Sequence, residues 1–502
     1  MSLGSLLRRL AEPGLVLVTA TTVALVMSTG AAGAAPALTQ VSSDPYTNST
    51  SQHATEVEPD TFAYGSTIVS AFQVGRFTDG GGSNIGFTTS TDGGATWTKG
   101  FLPGITTAAG GTYARVSDAA VTYDAKHNVW MISSIPITSS VTVPAVYTSR
   151  STDGGLTWSN PVTTATGSDL DKNWIVCDNT STSAYYGNCY TEYDSPADGD
   201  RLKMTTSSDG GLTWGASKNT GNNATGIGGQ PVVQPNGTVI VPAANASETA
   251  ILSFQSTNGG STWSSTRTVA TVSTYTVRGS LRSGPLPSAE IDASGKVYVV
   301  WQDCRFRSSC TSNDIVMSTT TSGTTWSSVV RIPIDATTTT VDHFIPGLAV
   351  DQATSGSTAH LGLAYYYHPT ANCTASTCQL DVGYVSSTDG GATWTTSTQL
   401  AGPMSHSWLA STTQGTMVGD YISTSFSGGT AHPVFAVASA KSGTAFNEAM
   451  YTPAAGLAAS AGTAAATPAT ARQNAFSTAQ AAIAYGRWLA NGGAAGGGED
   501  SP

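Results

Sequence analysis

Charge is scarce in this chain of 502 residues: Asp, Glu, Lys and Arg together make up 11%. The shortage is greater on the basic side, with 21 Lys and Arg against 32 Asp and Glu, for a formal net charge of −11. No basic stripe exists to neutralise phosphates, which excludes nucleic acid as a partner. Histidine is rare too. His53, His127, His343, His360, His368, His406 and His432 stand in no metal-ligand spacing, and the six cysteines form no CxxC pair, which argues against zinc. Long apolar runs are missing after the N-terminus, so no membrane span is expected. The N-terminus itself reads as an export signal over residues 1–34. Arg8 and Arg9 precede an apolar Leu15 to Met27, and Ala32-Gly33-Ala34 offers small-residue cleavage. A mature, secreted, extracellular protein is expected to begin near Ala35, its acidity serving solubility as a monomer.

What the chain has in abundance is Gly, 55 residues, among many Ser and Thr. With recurring β-branched and aromatic residues, this composition fits short strands joined by tight turns. The cysteines fall in three local pairs: Cys177 with Cys189, Cys304 with Cys310, and Cys373 with Cys378. Even number and close spacing in an exported chain predict three disulfide-closed loops.

One segment repeats. Ser90-Thr91-Asp92-Gly93-Gly94-Ala95-Thr96-Trp97 returns as Ser151 to Trp158, Ser207 to Trp214, Ser256 to Trp263 and Ser387 to Trp394. Asn258 replaces Asp in the fourth copy. A degenerate copy runs from Thr319 to Trp326, with Thr321 at the Asp position. The interval of roughly 50 to 70 residues suits one propeller blade. The Asp is placed to accept hydrogen bonds from its own turn, the glycines to reverse the chain at positive φ, and the Trp to bury its face between blades. Three strand-like segments precede each box and a fourth follows it, one four-stranded antiparallel blade per box. Residues 35–452 are thus expected to be all-β, a seven-bladed propeller with six blades as the alternative. Met417 to Phe426, Val434 to Ala438 and Phe446 to Tyr451 would make the last blade, with Leu38 to Ser42 as its fourth strand. Residues 453–502 read as a low-complexity tail: a mobile Ala/Gly/Thr linker, one weak helix within Ala469 to Asn491, and a Gly-rich end.

The S-x-D-x-G-x-T-W pattern resembles the Asp box, or BNR repeat, of the sialidase-like propellers. The resemblance implies a site at the end of the central channel where innermost strands begin. Aligned by their boxes, those starts read Glu58-Pro59-Asp60, Ser117-Asp118, Asp171-Lys172-Asn173-Trp174, Gly229-Gln230-Pro231, Pro285-Leu286-Pro287, Asp342-His343-Phe344 and Gly419-Asp420-Tyr421. Glu58, Asp118, Asp171, Lys172, Gln230, Asp342 and His343 are the substrate-binding candidates there. Gly75-Arg76 matches the sialidase Gly-Arg, which makes Asp79 the acid/base candidate. Gly419-Asp420-Tyr421 resembles the element that brings the nucleophilic Tyr, with Asp420 or Glu290 adjusting the Tyr421 phenol. Arg282 and Arg305 are the candidates for the remaining substrate-gripping arginines.

The sequence departs from the family in two places. Glu58 stands where an Arg would grip the sialic acid carboxylate, although bidentate Arg pairing is what selects that group. Gln230 or Leu286 stands where a Glu would polarise the Tyr. Val330-Arg331-Ile332-Pro333 holds an Arg-Ile-Pro, but after the fifth box.

Two readings of function follow. One is an exo-acting glycoside hydrolase of sialidase type with a diverged active site. The other is a noncatalytic propeller that binds glycans or a protein. No organic cofactor is expected. The carboxylates Glu192, Asp194, Asp198 and Asp200 fall together in one loop region, which makes Asp194, Asp198 and Asp200 a candidate Ca²⁺ set.

Overall fold

The computed structural model describes residues 35–475, 477 and 478. The expected export signal lies outside them, as does most of the expected C-terminal helix, of which residues 471–475 form the first turn.

The described chain is all-β, built from antiparallel meanders of four strands. Sheet I comprises Glu56–Tyr64, Thr67–Arg76, Gly82–Ser90 and Thr98–Phe101. Sheet II runs from Arg115–Asp124 to Val162–Thr166. The pair Gly82↔Val116 joins sheets I and II. Sheet III runs from Asp171–Cys177 to Lys218–Asn219, and sheet IV from Val232–Val233 to Arg267–Thr271. Sheet V runs from Ser288–Ile291 to Val330–Arg331, and sheet VI from Asp342–Val350 to Thr398–Ser405. The last set, sheet VII, holds Ser423–Ser427, Thr430–Ala438 and Glu448–Pro453, and takes its fourth strand, Leu38–Gln40, from the start of the described chain. Leu38 pairs with Pro453 and Gln40 with Tyr451.

The first strand of each sheet is its innermost, and it packs on the first strand of the next. The first strand of sheet VII packs on that of sheet I. Apolar side chains fill the space between sheets. Phe87 of sheet I meets Trp158 at 5.6 Å, and Tyr190 of sheet III meets Trp263 at 6.3 Å between ring centroids. Each aromatic of this size removes on the order of 150–250 Å² from water.

The boxes form the hydrogen bonds expected of them. Asp92 Oδ1 accepts from Thr96 N at 2.9 Å and Oδ2 from the Thr96 hydroxyl at 2.6 Å, while Ser90 Oγ accepts from Gly94 N at 2.8 Å. The Thr96 hydroxyl and amide hold the Asp92 carboxyl down at about 2. The same bonds recur at Asp153, Asp209 and Asp389; Asn258 Oδ1 likewise accepts from Thr262 N, but its Nδ2 donates to the Thr262 hydroxyl. The second box glycine has no room for a Cβ, because it backs onto the preceding sheet. At Gly155 that atom would lie 2.7 Å from Val69 of sheet I, and at Gly94 it would strike His432 of sheet VII.

Two sequence expectations are corrected. In the degenerate box the bonds centre on Thr320 and Ser322, not Thr319 and Thr321. Thr320 Oγ1 accepts from Gly323 N at 2.9 Å, and Ser322 Oγ accepts from Thr325 N at 3.3 Å. This copy lacks one glycine, so counting back from its Trp shifts the register by one. The segment after residue 453, read as a mobile linker, instead contributes three short strands that pair with earlier ones. Leu457–Ala458 pairs with Thr430–Ala438, Ala464–Ala465 with Thr393–Trp394, and Thr467–Pro468 with Val330–Arg331. Its small residues permit this approach: a Cβ on Gly462 would strike the Trp394 backbone.

Candidate functional site

The innermost strands of sheets I, II and III each carry a β-bulge at the same level. Their registers slip between Val57 and Asp60, Ser117 and Ala120, and Asp171 and Trp174. The residues inside the bulges are Glu58, Asp118 and Lys172, at φ 57°, 50° and 47°. A non-glycine residue in this region costs on the order of 1–3 kcal/mol, and bulges of this kind re-aim side chains. Here they bring three charged groups together, and Asp420, after Gly419, joins them.

Lys172 Nζ lies 2.7 Å from Asp420, 3.3 Å from Asp118 and 3.7 Å from Glu58. Arg282 grips Asp420 with two bonds, Nε to Oδ1 at 2.8 Å and a terminal nitrogen to Oδ2 at 2.5 Å. Asp420 N donates to Glu58 Oε1 at 3.1 Å, and Gln73 Nε2 donates to Glu58 and to Ser117 Oγ. Arg76 donates to Gln73 Oε1 at 3.3 Å, and Asp171 Oδ1 accepts the Lys172 amide at 2.9 Å. All of these side chains are buried.

Tyr421 lies beside this cluster. Its ring meets Trp174 edge-on at 5.2 Å, and its hydroxyl donates to the Ala119 carbonyl at 3.5 Å. Burial pushes the phenol well above its usual range; Asp118 and Glu58 push the same way, and Lys172 opposes them. A buried phenol held neutral is not an activated nucleophile.

Two segments close over the cluster. Arg282 N donates to Thr416 O and Thr416 N to Ser280 O, both at 2.8 Å, joining the 279–287 loop to the hairpin of Ala410–Thr412 and Gly415–Met417. The hairpin is pinned by Ala410 N donating to Glu448 at 2.6 Å, and Met417 and Ala410 pack on Val57. His406 Nδ1 donates to the Gly279 carbonyl at 3.0 Å, and its Nε2 meets His368 Nε2 at 2.9 Å.

The other candidates have partners elsewhere. Asp79 is held by Arg115 at 2.5 and 3.2 Å, with that guanidinium 4.3 Å over the Phe77 ring. Partial burial pushes the Asp79 carboxyl up, but Arg115 outweighs it and leaves the acid below its usual range. Asp79 is thus ionised at neutral pH, on the rim of an open groove of about 630 Å³. Arg305 pairs with Asp303 at 2.7 Å and reaches Asn474 at 3.2 Å. Asp342 accepts from the Asn313 amide and side chain at 2.7 and 2.8 Å, and burial lifts its carboxyl to about 7. His343 contacts the Asn313 carbonyl at 3.2 Å between Tyr365 and Tyr367, and burial lowers its pKa. Asp198 faces Lys203 at 2.9 Å, whereas Asp194 is buried near Lys172 and Asp118. The oxygens of Asp194, Asp198 and Asp200 do not gather at metal-ligand distance from one another. All three expected disulfides are present.

On the same inner strands lies a cavity of about 320 Å³, walled among others by Asp60, Phe62, Trp174, Gln230, Glu290 and Ser423. Asp60 accepts the Val121 amide at 2.6 Å, yet burial lifts its carboxyl to about 7. Burial and then the Asp60 charge lift Glu290 to about 8. Paired acids with raised pKa values in a cleft mark a candidate site. Sequence reading placed Asp60 and Glu290 on inner strands but gave neither a place in a cavity. It missed Arg115 and Gln73, for which the only signal was their position beside inner-strand starts.

No family model matches this chain, and no curated protein matches its sequence. Among solved structures it is similar to a leech intramolecular trans-sialidase complexed with 2,7-anhydro-Neu5Ac, at 14% identity and TM-score 0.44, over 65% of this chain and 67% of that one. It is also similar to the NanB sialidase from Streptococcus pneumoniae, at 12% identity and TM-score 0.42, over 82% and 70%. An α-L-arabinofuranosidase, Arb93A from Fusarium graminearum, gives 12% identity and TM-score 0.42, over 70% and 98%. At these identities and scores the likenesses assign no activity.

Proposed function

We propose that this chain is a secreted, seven-bladed Asp-box propeller of the sialidase-like kind that binds glycans and does not cleave sialosides. The seven four-stranded sheets, with the second glycine of each two-glycine box seated on the sheet before it, support the ring. The observation that carries the functional half is the state of the Tyr421 region. Where a sialidase-type site would need open arginines and a free phenol, Lys172 and Arg282 are spent on Asp420, Asp118 and Glu58, and Tyr421 is sealed beside them. A sialoside carboxylate would meet neither an accessible cation nor a nucleophile there. The axial cavity, lined by Trp174 and Phe62 together with polar groups such as Asp60, Gln230 and Glu290, suits a small polar ligand.

The test is a glycan array probed with the purified mature protein and with Trp174→Ala. Selective binding that the variant loses supports the reading; no glycan bound above background overturns it. One observation favours a second reading, a glycosidase of another type. Asp60 and Glu290 line one cavity with raised pKa values, and a glycosidase needs one carboxyl still protonated near neutral pH to act as the acid. Turnover of any neutral aryl glycoside that Glu290→Gln abolishes would establish it.

A further inference from the structure

The axial cavity is lined by three carboxylates, Asp60, Glu290 and Asp292, and its lining contains no Lys, Arg or His. The three acids are not equivalent. Asp292 is consumed by its own turn, accepting from Lys296 N at 3.0 Å and Gly356 N at 2.8 Å. Asp60 is held on one side by Val121 N. Glu290 has no side-chain donor or cation among the described residues; the charged group it senses is Asp60, which repels it. Two facing acids without a base are an unfavourable arrangement that a cation would relieve.

A second, independent feature points to the other half of a ligand. Gln230 is 7% exposed, and its carbonyl oxygen accepts the Ala289 amide at 2.9 Å. Its amide nitrogen has no acceptor among the described residues, although the side chain lines this cavity. That nitrogen is not sealed from solvent, so it is open to donate to a ligand oxygen in place of water. The cavity therefore asks for a positive group and a hydroxyl oxygen on one small molecule. Its volume of about 320 Å³ is far larger than a bare metal ion needs. It lies at the small end of the ligand-pocket range of about 300–1,000 Å³.

We propose that the axial cavity binds an amino sugar, its ammonium group between Glu290 and Asp60 and a ring hydroxyl accepting from the Gln230 amide. This rests on the glycan-binding reading and narrows it to cationic sugars. The near-neutral carboxyls of Asp60 and Glu290 fit this role, since each becomes a full anion when a cation arrives.

The experiment titrates the purified protein near pH 7 with methyl glucosaminide, its N-acetylated counterpart and methyl glucoside, by calorimetry or ligand-observed NMR. The expected result is at least about tenfold tighter binding of the free amine than of either neutral sugar, a margin of about 1.4 kcal/mol. Glu290→Gln should erase that preference, and Glu290→Asp, which keeps the charge, should retain it. Thermal unfolding of both variants separates lost binding from lost fold, and the wild-type preference stands without any variant. Equal binding of all three sugars would overturn the amino-sugar inference and leave the glycan reading intact. Binding of Ca²⁺ alone that Glu290→Gln abolishes would also overturn it. Binding of no sugar here, with a positive array, would sink the inference only; an empty array would sink both.

Discussion

Glu58 and Asp60 stand two residues apart on one strand, yet they belong to opposite electrostatic designs. Glu58 sits in the bulge and faces Lys172, within a cluster where Arg282 and Lys172 balance Asp420 and Asp118. Asp60 sits just past the bulge and faces the cavity, where Glu290 adds a second carboxyl and no Lys, Arg or His lines the wall. A single inner strand thus contributes one carboxylate that knits sheets together and one that lines the cavity. Burial alone does not distinguish them, since both are nearly inaccessible. Charge compensation does.

The comparison breaks most visibly at Lys172. Lys172→Met would leave Asp118, Asp420 and Glu58 short of their shared cation, and removing one partner of a buried ion pair costs about 3–5 kcal/mol. Urea unfolding should show that loss; a change under about 1 kcal/mol would mean the cluster is not structural. Next comes pH. Glu290 and Glu56 are held up at about 8 and Asp60 at about 7, so the native state keeps protons that the unfolded chain has released. That contribution is complete below the ordinary carboxylate range and is lost as pH rises through about 8. The melting temperature should therefore fall between pH 5 and 8.5, and Glu290→Gln should shrink the fall. A rising profile would contradict the uncompensated state of the cavity. In the boxes, Asp209→Ala should cost about 1–2 kcal/mol through its lost charge-assisted bonds. Asp209→Asn should cost much less, because Asn258 already makes the same turn. The smallest effect belongs to Tyr421→Phe. Its hydroxyl makes only one long bond, so stability should change by less than about 1.5 kcal/mol.

Much of this was legible in the sequence, for reasons that differ by element. The boxes are local: Ser90, Asp92, Gly94 and Thr96 satisfy one another within a few residues, so spacing alone reveals them. The inner-strand residues were legible as well, because each box sets a ruler for the next blade. That ruler brought Glu58, Asp118, Lys172 and Asp420 to one level. It could not supply partners across the ring. Asp79 and Tyr421 look like a catalytic pair in sequence, but Arg115 neutralises one and burial beside Trp174 keeps the other's phenol protonated. Nor could composition show that Ala- and Thr-rich tail segments pair with earlier strands, since small residues suit both a free linker and a close-fitting strap.

The central claim is that the Tyr421 region is a sealed structural cluster. Hydrolysis of a fluorogenic sialoside by the purified protein, beside Tyr421→Phe, tests it most directly. The expected result is no turnover above background for either protein, with both fully folded. Turnover by the wild type that disappears in Tyr421→Phe would show that the phenol reaches substrate, and the account would be wrong.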